Sequence, residues 1–135
     1  MASLPAVERT PDGLRLVVDR VIDTDPDDVW ELLIDTEGWP AWGPTVSDVR
    51  SPERFVEAGT RGKVQVLGGP WLPFEVRTCR DRRWTWRVAR VPATGHRVER
   101  VPGGARVGFE IPLVASGYAI VAERALDRLE RLLAA

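Results

Sequence analysis

The chain has few of the side chains that bind transition metals or form disulfides, since its 135 residues include one cysteine, Cys79, and one histidine, His96. A single cysteine excludes an intramolecular disulfide framework, and a zinc-type cluster cannot form around one histidine and one cysteine. The acidic run at 23–28 lacks the glycine and terminal glutamate of a calcium loop, and helix capping explains it better. We expect no metal and no cofactor.

Sequence motifs for nucleotide binding and for covalent catalysis are also missing. No GxxxxGK[ST], no GxGxxG opening a helix and no GxSxG occurs, which removes the phosphate-binding loops and the nucleophile elbow. The 19 basic and 20 acidic residues give a net charge of −1, without the basic excess of a nucleic-acid-binding protein. The arginines and tryptophans that alternate at 79–87 are best explained as a strand with a solvated face, so no nucleic-acid partner is expected.

Long apolar runs are absent as well. No window approaches the roughly eighteen consecutive apolar residues of a membrane-spanning helix, and residues 1–13 have neither the basic start nor the apolar run of a signal peptide. We therefore expect a soluble cytoplasmic protein without a membrane span. Residues 1–13 are predicted to be a loose leader and 14–135 a single domain. Whether the protein is a monomer or a homodimer stays open.

Apolar periodicity predicts a strand, a short helix, a run of strands and a long helix. Residues 14–23 are strand-like, and the next helix has Pro26 in its first turn and ends at Gly38. Apolar residues at 3.6-residue spacing over 117–133 indicate a long amphipathic helix. This order favours an α+β antiparallel sheet with helices on one face. Turn residues separate the intervening predicted strands at 46–50, 62–67, 74–79, 83–88, 95–101 and 105–113.

The element order and three sequence stretches resemble the helix-grip fold of the START-like or SRPBCC superfamily, which includes polyketide cyclase/dehydratase-like proteins. The stretches are DTDPDDVWELLIDTEGWPAWGPTVSDV at 23–49, WTWRV at 84–88 and GHRVERVPGGARVGFEIPLV at 95–114. The resemblance covers nearly the whole chain from Leu14 and says almost nothing about substrate. It implies a curved sheet of about seven strands around the long C-terminal helix, with an apolar cavity between them.

Alternation along the strands indicates which side chains face such a cavity. Trp84 and Trp86 share one side of their strand, and His96 shares a side with the apolar Val98. Trp39 and Trp42 lie in a segment that glycines and prolines keep irregular, and we expect them to plug the open end of the sheet and form part of the wall. The candidate ligand-binding residues are Trp39, Trp42, Phe74, Trp84, Trp86, His96, Phe109 and Tyr118.

Ionisable residues near the cavity are few. His96 and Tyr118 are weak candidates for acid–base catalysis, because an imidazole can transfer protons near neutral pH. Arg20 and Arg100 have inward parity but are expected at strand ends in solvent, and Glu110 has outward parity.

Three functions stay open at this point. The first is binding of a small hydrophobic or amphipathic molecule of the lipid, polyketide or isoprenoid class. The second is a polyketide cyclase/dehydratase-type enzyme, which requires a positioned acid and base within hydrogen-bond reach. The third is a protein-interaction module, which requires a contiguous exposed apolar patch.

Overall fold

The computed structural model describes residues 4–134. Its eight strands are β1 (Ala6–Thr10), β2 (Gly13–Ile22), β3 (Val46–Arg50), β4 (Arg61–Val66), β5 (Trp71–Arg80), β6 (Arg83–Val88), β7 (Val91–Val101) and β8 (Gly104–Pro112). Three α-helices accompany them: α1 (Pro26–Ile34), α2 (Trp39–Trp42) and α3 (Ala119–Leu133). Short 3-10 helices at Thr36–Gly38 and Leu113–Tyr118 lead into α2 and α3. Within the described residues, no helix is both long and apolar enough to cross a membrane.

All neighbouring strands are antiparallel, in the order β1-β2-β8-β7-β6-β5-β4-β3. The register aligns Val18, Phe109, His96 and Trp84 across four adjacent strands. Because side chains directly opposite one another share a face, this row forms part of one side of the sheet. An open antiparallel sheet with a long C-terminal helix confirms the expected α+β helix-grip fold, with eight strands instead of about seven.

The additional strand is β1, so the expectation of a loose leader over 1–13 is wrong for Ala6–Thr10. This strand pairs with β2 from Ala6 opposite Val17 to Thr10 opposite Gly13. The tight turn is possible because Gly13 has a φ of 101°, and the Thr10 hydroxyl donates to the Gly13 carbonyl at 2.8 Å. Its alternation was too short to be recognised from sequence. Residues 1–3 of the predicted leader lie outside the described residues.

The start of α1 agrees with its sequence signals. Asp25 caps the helix by accepting a hydrogen bond from the Asp27 backbone N–H at 2.8 Å, and Pro26 occupies the first turn. The segment after α1, which was expected to be irregular, is helical instead. Pro40 fits the first turn of α2, and the Gly43 N–H closes that turn on the Trp39 carbonyl at 2.7 Å.

The core lies between the sheet and α3. Ala122, Ala125, Leu126 and Leu129 are the buried residues of this helix, and each leucine side chain removed from water contributes roughly 2 to 3 kcal/mol to stability. The helix begins at Ala119, two residues later than predicted, because a 3-10 segment occupies Leu113–Tyr118.

Arg20 attaches α3 to the sheet. It is only 8% exposed and donates to Asp127 at 2.6 Å, Glu123 at 3.1 Å and Glu130 at 3.3 Å. The expectation that Arg20 lies in solvent is therefore wrong, because the acidic side of α3 covers the arginine. Arg100, for which the same was expected, does have a largely exposed side chain.

The outer face of the sheet carries an ion network centred on the buried Glu110. This residue lies opposite Val17 and Gly95, so its outward parity is as predicted, but it is only 2% exposed. Arg83 donates to it at 2.7 Å and Arg97 at 3.4 Å. A Cβ at Gly95 would lie 2.9 Å from Glu110 Oε1, so only glycine leaves room for this carboxylate. The outer face is therefore partly dry, which the alternation did not reveal.

Candidate ligand-binding site

Two adjacent spaces lie between the sheet, α2 and the start of α3. The first, here called the inner hollow, has a volume of about 40 Å³ and reaches His96 and Phe109. The second, the outer hollow, has a volume of about 320 Å³ and lies between β3, β4, β6, β7, β8 and the 3-10 segment before α3. Four residues line both spaces and form the partition between them: Val46, Trp86, Thr94 and Tyr118.

Aromatic rings fill most of the interior beside the inner hollow. Trp84 is stacked between Trp39, with ring centroids 5.2 Å apart, and His96, with centroids 3.9 Å apart. Trp42 stacks on Phe109 at 5.8 Å. Offset and edge contacts of this kind stabilise a core beyond the area that they bury. The close packing explains why so little empty volume remains there.

The two tryptophans of α2 also complete the end of α1. Trp39 Nε1 donates to the Leu33 carbonyl at 2.9 Å, and Trp42 Nε1 donates to the Leu32 carbonyl at 3.3 Å. The last carbonyls of a helix have no partner within the helix, and here buried indoles supply it. Two tryptophans follow α1 so closely because each ring fills the core while its N–H satisfies the helix end.

Both ring nitrogens of His96 are engaged. Nδ1 lies 3.3 Å from the Trp84 carbonyl oxygen, and Nε2 lies 3.0 Å from the Thr94 hydroxyl. A carbonyl only accepts hydrogen bonds, so Nδ1 donates and Nε2 of the neutral ring accepts from Thr94. Burial lowers the pKa of His96 from 6.5 to about 3, and the Arg83 charge contributes a smaller decrease against the opposing effect of the Trp84 carbonyl. His96 is therefore neutral at physiological pH.

Tyr118 is the partition residue that lies nearest the surface of the protein. Its hydroxyl and Thr45 Oγ1 lie 2.8 Å apart and share a hydrogen bond, and the residue is 37% exposed. Partial burial raises the pKa of Tyr118 above its ordinary value, while the bond to Thr45 opposes that rise. The phenol is uncharged at neutral pH and joins the start of α3 to the loop before β3.

Seven of the eight candidate residues from the sequence line the inner hollow, and Phe74 does not. Phe74 is buried behind Trp39 and Trp86, with centroids 5.5 Å and 5.6 Å away. It lines neither space.

The sequence interpretation missed Thr94 and most of the outer hollow. Thr94 was assigned to a turn because β7 was predicted to begin at Gly95, whereas it begins at Val91. The signal was the i, i+2 spacing of Thr94, His96 and Val98, which continues the inward parity by one step. The other residues of the outer hollow are Thr45, Val64, Val66, Val88, Pro92, Ala93, Ile111, Pro112 and Ala115.

Among the described residues, no charged side chain lines either hollow. His96 has Thr94 and a carbonyl as its polar partners, and Glu110 lies on the opposite face of the sheet. Within residues 4–134, no group of three or more His, Cys, Asp or Glu is placed to hold a metal ion. The arrangement offers apolar contact and a few neutral hydrogen-bonding groups, with no acid–base pair in contact.

Comparison with known proteins shows sequence similarity to one protein family. Residues 14–134 match the sequence model of the family described as polyketide cyclase/dehydrase and lipid transport. Uncharacterised proteins of Mycobacterium tuberculosis and Mycobacterium bovis are 31% identical over 126 residues, which is 86% of this chain and 74% of theirs.

Solved structures share the fold at low sequence identity. A Bacillus halodurans protein has a TM-score of 0.70 at 10% identity and covers 98% of both chains. A Mesorhizobium loti protein has a TM-score of 0.68 at 19% identity, over 87% of this chain and 94% of its own. CalU16 of Micromonospora echinospora has a TM-score of 0.66 at 16% identity, over 97% of this chain and 83% of its own. At such identities the likeness shows the fold alone.

Proposed function

Because this chain belongs to the polyketide cyclase/dehydrase and lipid transport family, we propose that it binds one small, largely apolar molecule in the outer hollow. The observation that carries the proposal is an open space of about 320 Å³ with a mainly aliphatic and aromatic lining at the open end of the sheet. Small-molecule pockets are typically concave, mostly apolar and about 300 to 1,000 Å³ in volume. This hollow lies at the small end of that range, which suits a compact ring system or a short chain.

The inner hollow is unsuited to the ligand itself. Its volume of about 40 Å³ has room for only a few water molecules, since one water needs roughly 10 to 15 Å³ of cavity. Trp42, Trp84 and His96 therefore support the wall beyond the partition, and Trp86 and Tyr118 contact the ligand directly. Only some of the aromatic residues that were candidates from the sequence therefore contact the ligand in this proposal.

Binding has more support than acid–base catalysis. A cyclase or dehydratase reaction requires a group that gives up a proton and another that takes one. His96 and Tyr118 are the titratable residues that line the hollows. The pKa of His96 is lowered to about 3 and that of Tyr118 is raised, so His96 is a poor base and Tyr118 a poor acid at physiological pH.

The proposal is tested with N-phenyl-1-naphthylamine, an uncharged dye whose fluorescence increases when it leaves water. We expect saturable enhancement at one site, accompanied by quenching of tryptophan emission because Trp86 lines the hollow. Val88→Trp should weaken dye binding at least about tenfold, since Val88 lines the outer hollow and an indole fills much of it. Val7→Trp, the same substitution at a residue 57% exposed on β1, should leave binding unchanged. Non-saturable enhancement with the unmodified protein, or equal binding by both variants, would contradict the proposal.

A further inference from the structure

Thr94, one of the partition residues, has a hydroxyl whose hydrogen-bonding capacity is only partly used. Thr94 Oγ1 lies 3.0 Å from His96 Nε2 and 3.2 Å from Trp86 Nε1. Since Nδ1 of His96 donates to the Trp84 carbonyl, Nε2 is the acceptor, and the Thr94 hydrogen is used there. The indole N–H of Trp86 then donates to the same Thr94 oxygen.

The donors and acceptors of these three hydrogen bonds have a single consistent order. Trp86 donates to Thr94, Thr94 donates to His96, and His96 donates to the Trp84 carbonyl. A hydroxyl oxygen has two lone pairs, and the indole occupies one of them. Thr94 therefore offers a remaining acceptor site and no remaining donor, at a residue that lines both hollows.

Resting on the proposed function, we infer that the ligand is uncharged where it is buried and carries a hydroxyl or N–H that donates to Thr94 Oγ1. Thr94 is then the residue that determines specificity. His96 orients the Thr94 hydroxyl by accepting its hydrogen bond. A ligand whose polar group only accepts hydrogen bonds finds no free donor at this point of the wall.

The uncharged lining excludes an anionic group from the buried part of the ligand. A carboxylate transferred from water needs a counter-charge or several donors, and no arginine or lysine in the described part of the chain lines either hollow. Arg83 and Arg97 lie on the outer face, where both contact Glu110. A fatty acid could therefore enter only with its carboxylate left in solvent.

The hydroxyls of Thr45 and Tyr118, which also line the outer hollow, have a different role. Thr45 and Tyr118 bond to each other, so one hydrogen of the pair remains free. Tyr118 is 37% exposed and its bond to Thr45 lies at the surface, so solvent is within reach of that hydrogen. Thr45 consequently provides a control hydroxyl for Thr94, since both line the same space.

Three probes with the same ring system separate the possibilities in isothermal titration calorimetry at neutral pH. 1-Naphthol donates a hydrogen bond, 1-methoxynaphthalene only accepts, and 1-naphthoate is an anion. We expect 1-naphthol to bind up to about tenfold more tightly than 1-methoxynaphthalene, as one net hydrogen bond allows. The anion should bind at least roughly a hundredfold more weakly than 1-naphthol, because its charge has no partner in the hollow.

Variants then assign the preference to one oxygen. Thr94→Val should reduce the ratio of the two neutral affinities to about one, whereas Thr94→Ser should retain it. Thr45→Val should retain it too. Thr94→Ala is a second test of the missing oxygen if the methyl group that replaces the hydroxyl in Thr94→Val disturbs folding, which circular dichroism would show.

The outcomes distinguish this inference from the proposed function. If neither neutral probe binds, the proposed function fails. If both neutral probes bind the unmodified protein equally, or if Thr94→Val and Thr94→Ala preserve the ratio, the hollow binds ligands but the inference is overturned. Binding of 1-naphthoate as tight as that of 1-naphthol would overturn it as well.

Discussion

His96 should stay neutral throughout the pH range in which the protein is folded, and this makes stability depend on pH. Burial lowers its pKa to about 3 from the ordinary 6.5, whereas the unfolded chain keeps the ordinary value. Between these two pH values the unfolded state binds a proton that the folded state does not. The contribution of His96 to stability is therefore fully present above about pH 6.5 and decreases as the pH falls toward 3.

The size of the effect follows from the same two values. Each pH unit in this window is worth about 1.4 kcal/mol of unfolding free energy. Between pH 7 and pH 5 the protein should therefore lose about 2 kcal/mol through His96 alone. Asp35 and Glu75, whose pKa values are lowered by hydrogen bonds from arginines, add losses in the same direction at lower pH.

Comparison with His96→Gln isolates the histidine, because the carboxylates are the same in both proteins. Urea unfolding at pH 7 and pH 5 should show a stability loss about 2 kcal/mol larger for the unmodified protein. Because the chain has one histidine, its imidazole proton resonances are also unambiguous in an NMR titration, and they should not shift between pH 8 and pH 5. A midpoint near 6.5 in that titration, or equal pH dependence in the two proteins, would refute the reasoning.

Three stability predictions concern other parts of the sheet. Glu110→Gln should reduce the free energy of unfolding in urea by about 2 kcal/mol, because it removes a carboxylate that is only 2% exposed and leaves two partly buried arginines with Asp12 and Glu8 as their remaining partners. Glu99→Gln at an exposed ion pair should cost about 0 to 1 kcal/mol, and similar losses in the two variants would contradict this. Arg20→Met should cost about 2 kcal/mol in low salt, less than a fully buried pair because its three partners are partly exposed. That loss should shrink in 1 M salt, which screens the repulsion among the carboxylates left on α3, and a salt-independent loss would count against this explanation. Arg90→Gly should raise the melting temperature and increase the free energy of unfolding by about 0.5 to 1 kcal/mol. Arg90 has a φ of 67° in the β6–β7 turn, and this left-handed conformation is strained for arginine but not for glycine. Unchanged or lower stability would contradict this prediction.

The fold could be predicted because its signals are local and repeated. The alternation in β6 and β8 and the 3.6-residue period of α3 each define a buried face without knowledge of the partner. β1 was missed because its five residues have too little alternation to outweigh the polar composition of the first segment. The strand is stabilised by pairing with the edge of β2, and that partner cannot be recognised from the segment itself.

Predictions for the site were less complete, because the burial of a side chain there depends on residues from several strands and helices. Parity places Glu110 outward, but its burial requires Arg83, Arg97 and the absence of a side chain at Gly95. Likewise, parity indicates that Trp84 faces inward without showing whether it borders empty space or packed rings. That distinction depends on Trp39 and on the path of the chain after α1.

That path bears on how a ligand would enter and leave. Trp39 and Trp42 are held by the final carbonyls of α1, so moving either ring would break a buried hydrogen bond as well as aromatic contacts. The space of useful size therefore lies outside the ring cluster, next to the partly exposed Tyr118. A molecule bound there could exchange by rearranging the Thr45–Tyr118 contact, which costs one hydrogen bond at the surface, while the core stays intact. Thr45→Val should therefore increase the rate of ligand release in stopped-flow measurements with N-phenyl-1-naphthylamine. Substitutions of Trp39 or Trp42 in α2 should instead lower the stability of the protein and leave the release rate nearly unchanged. An unchanged release rate in Thr45→Val would show that the dye leaves by another route.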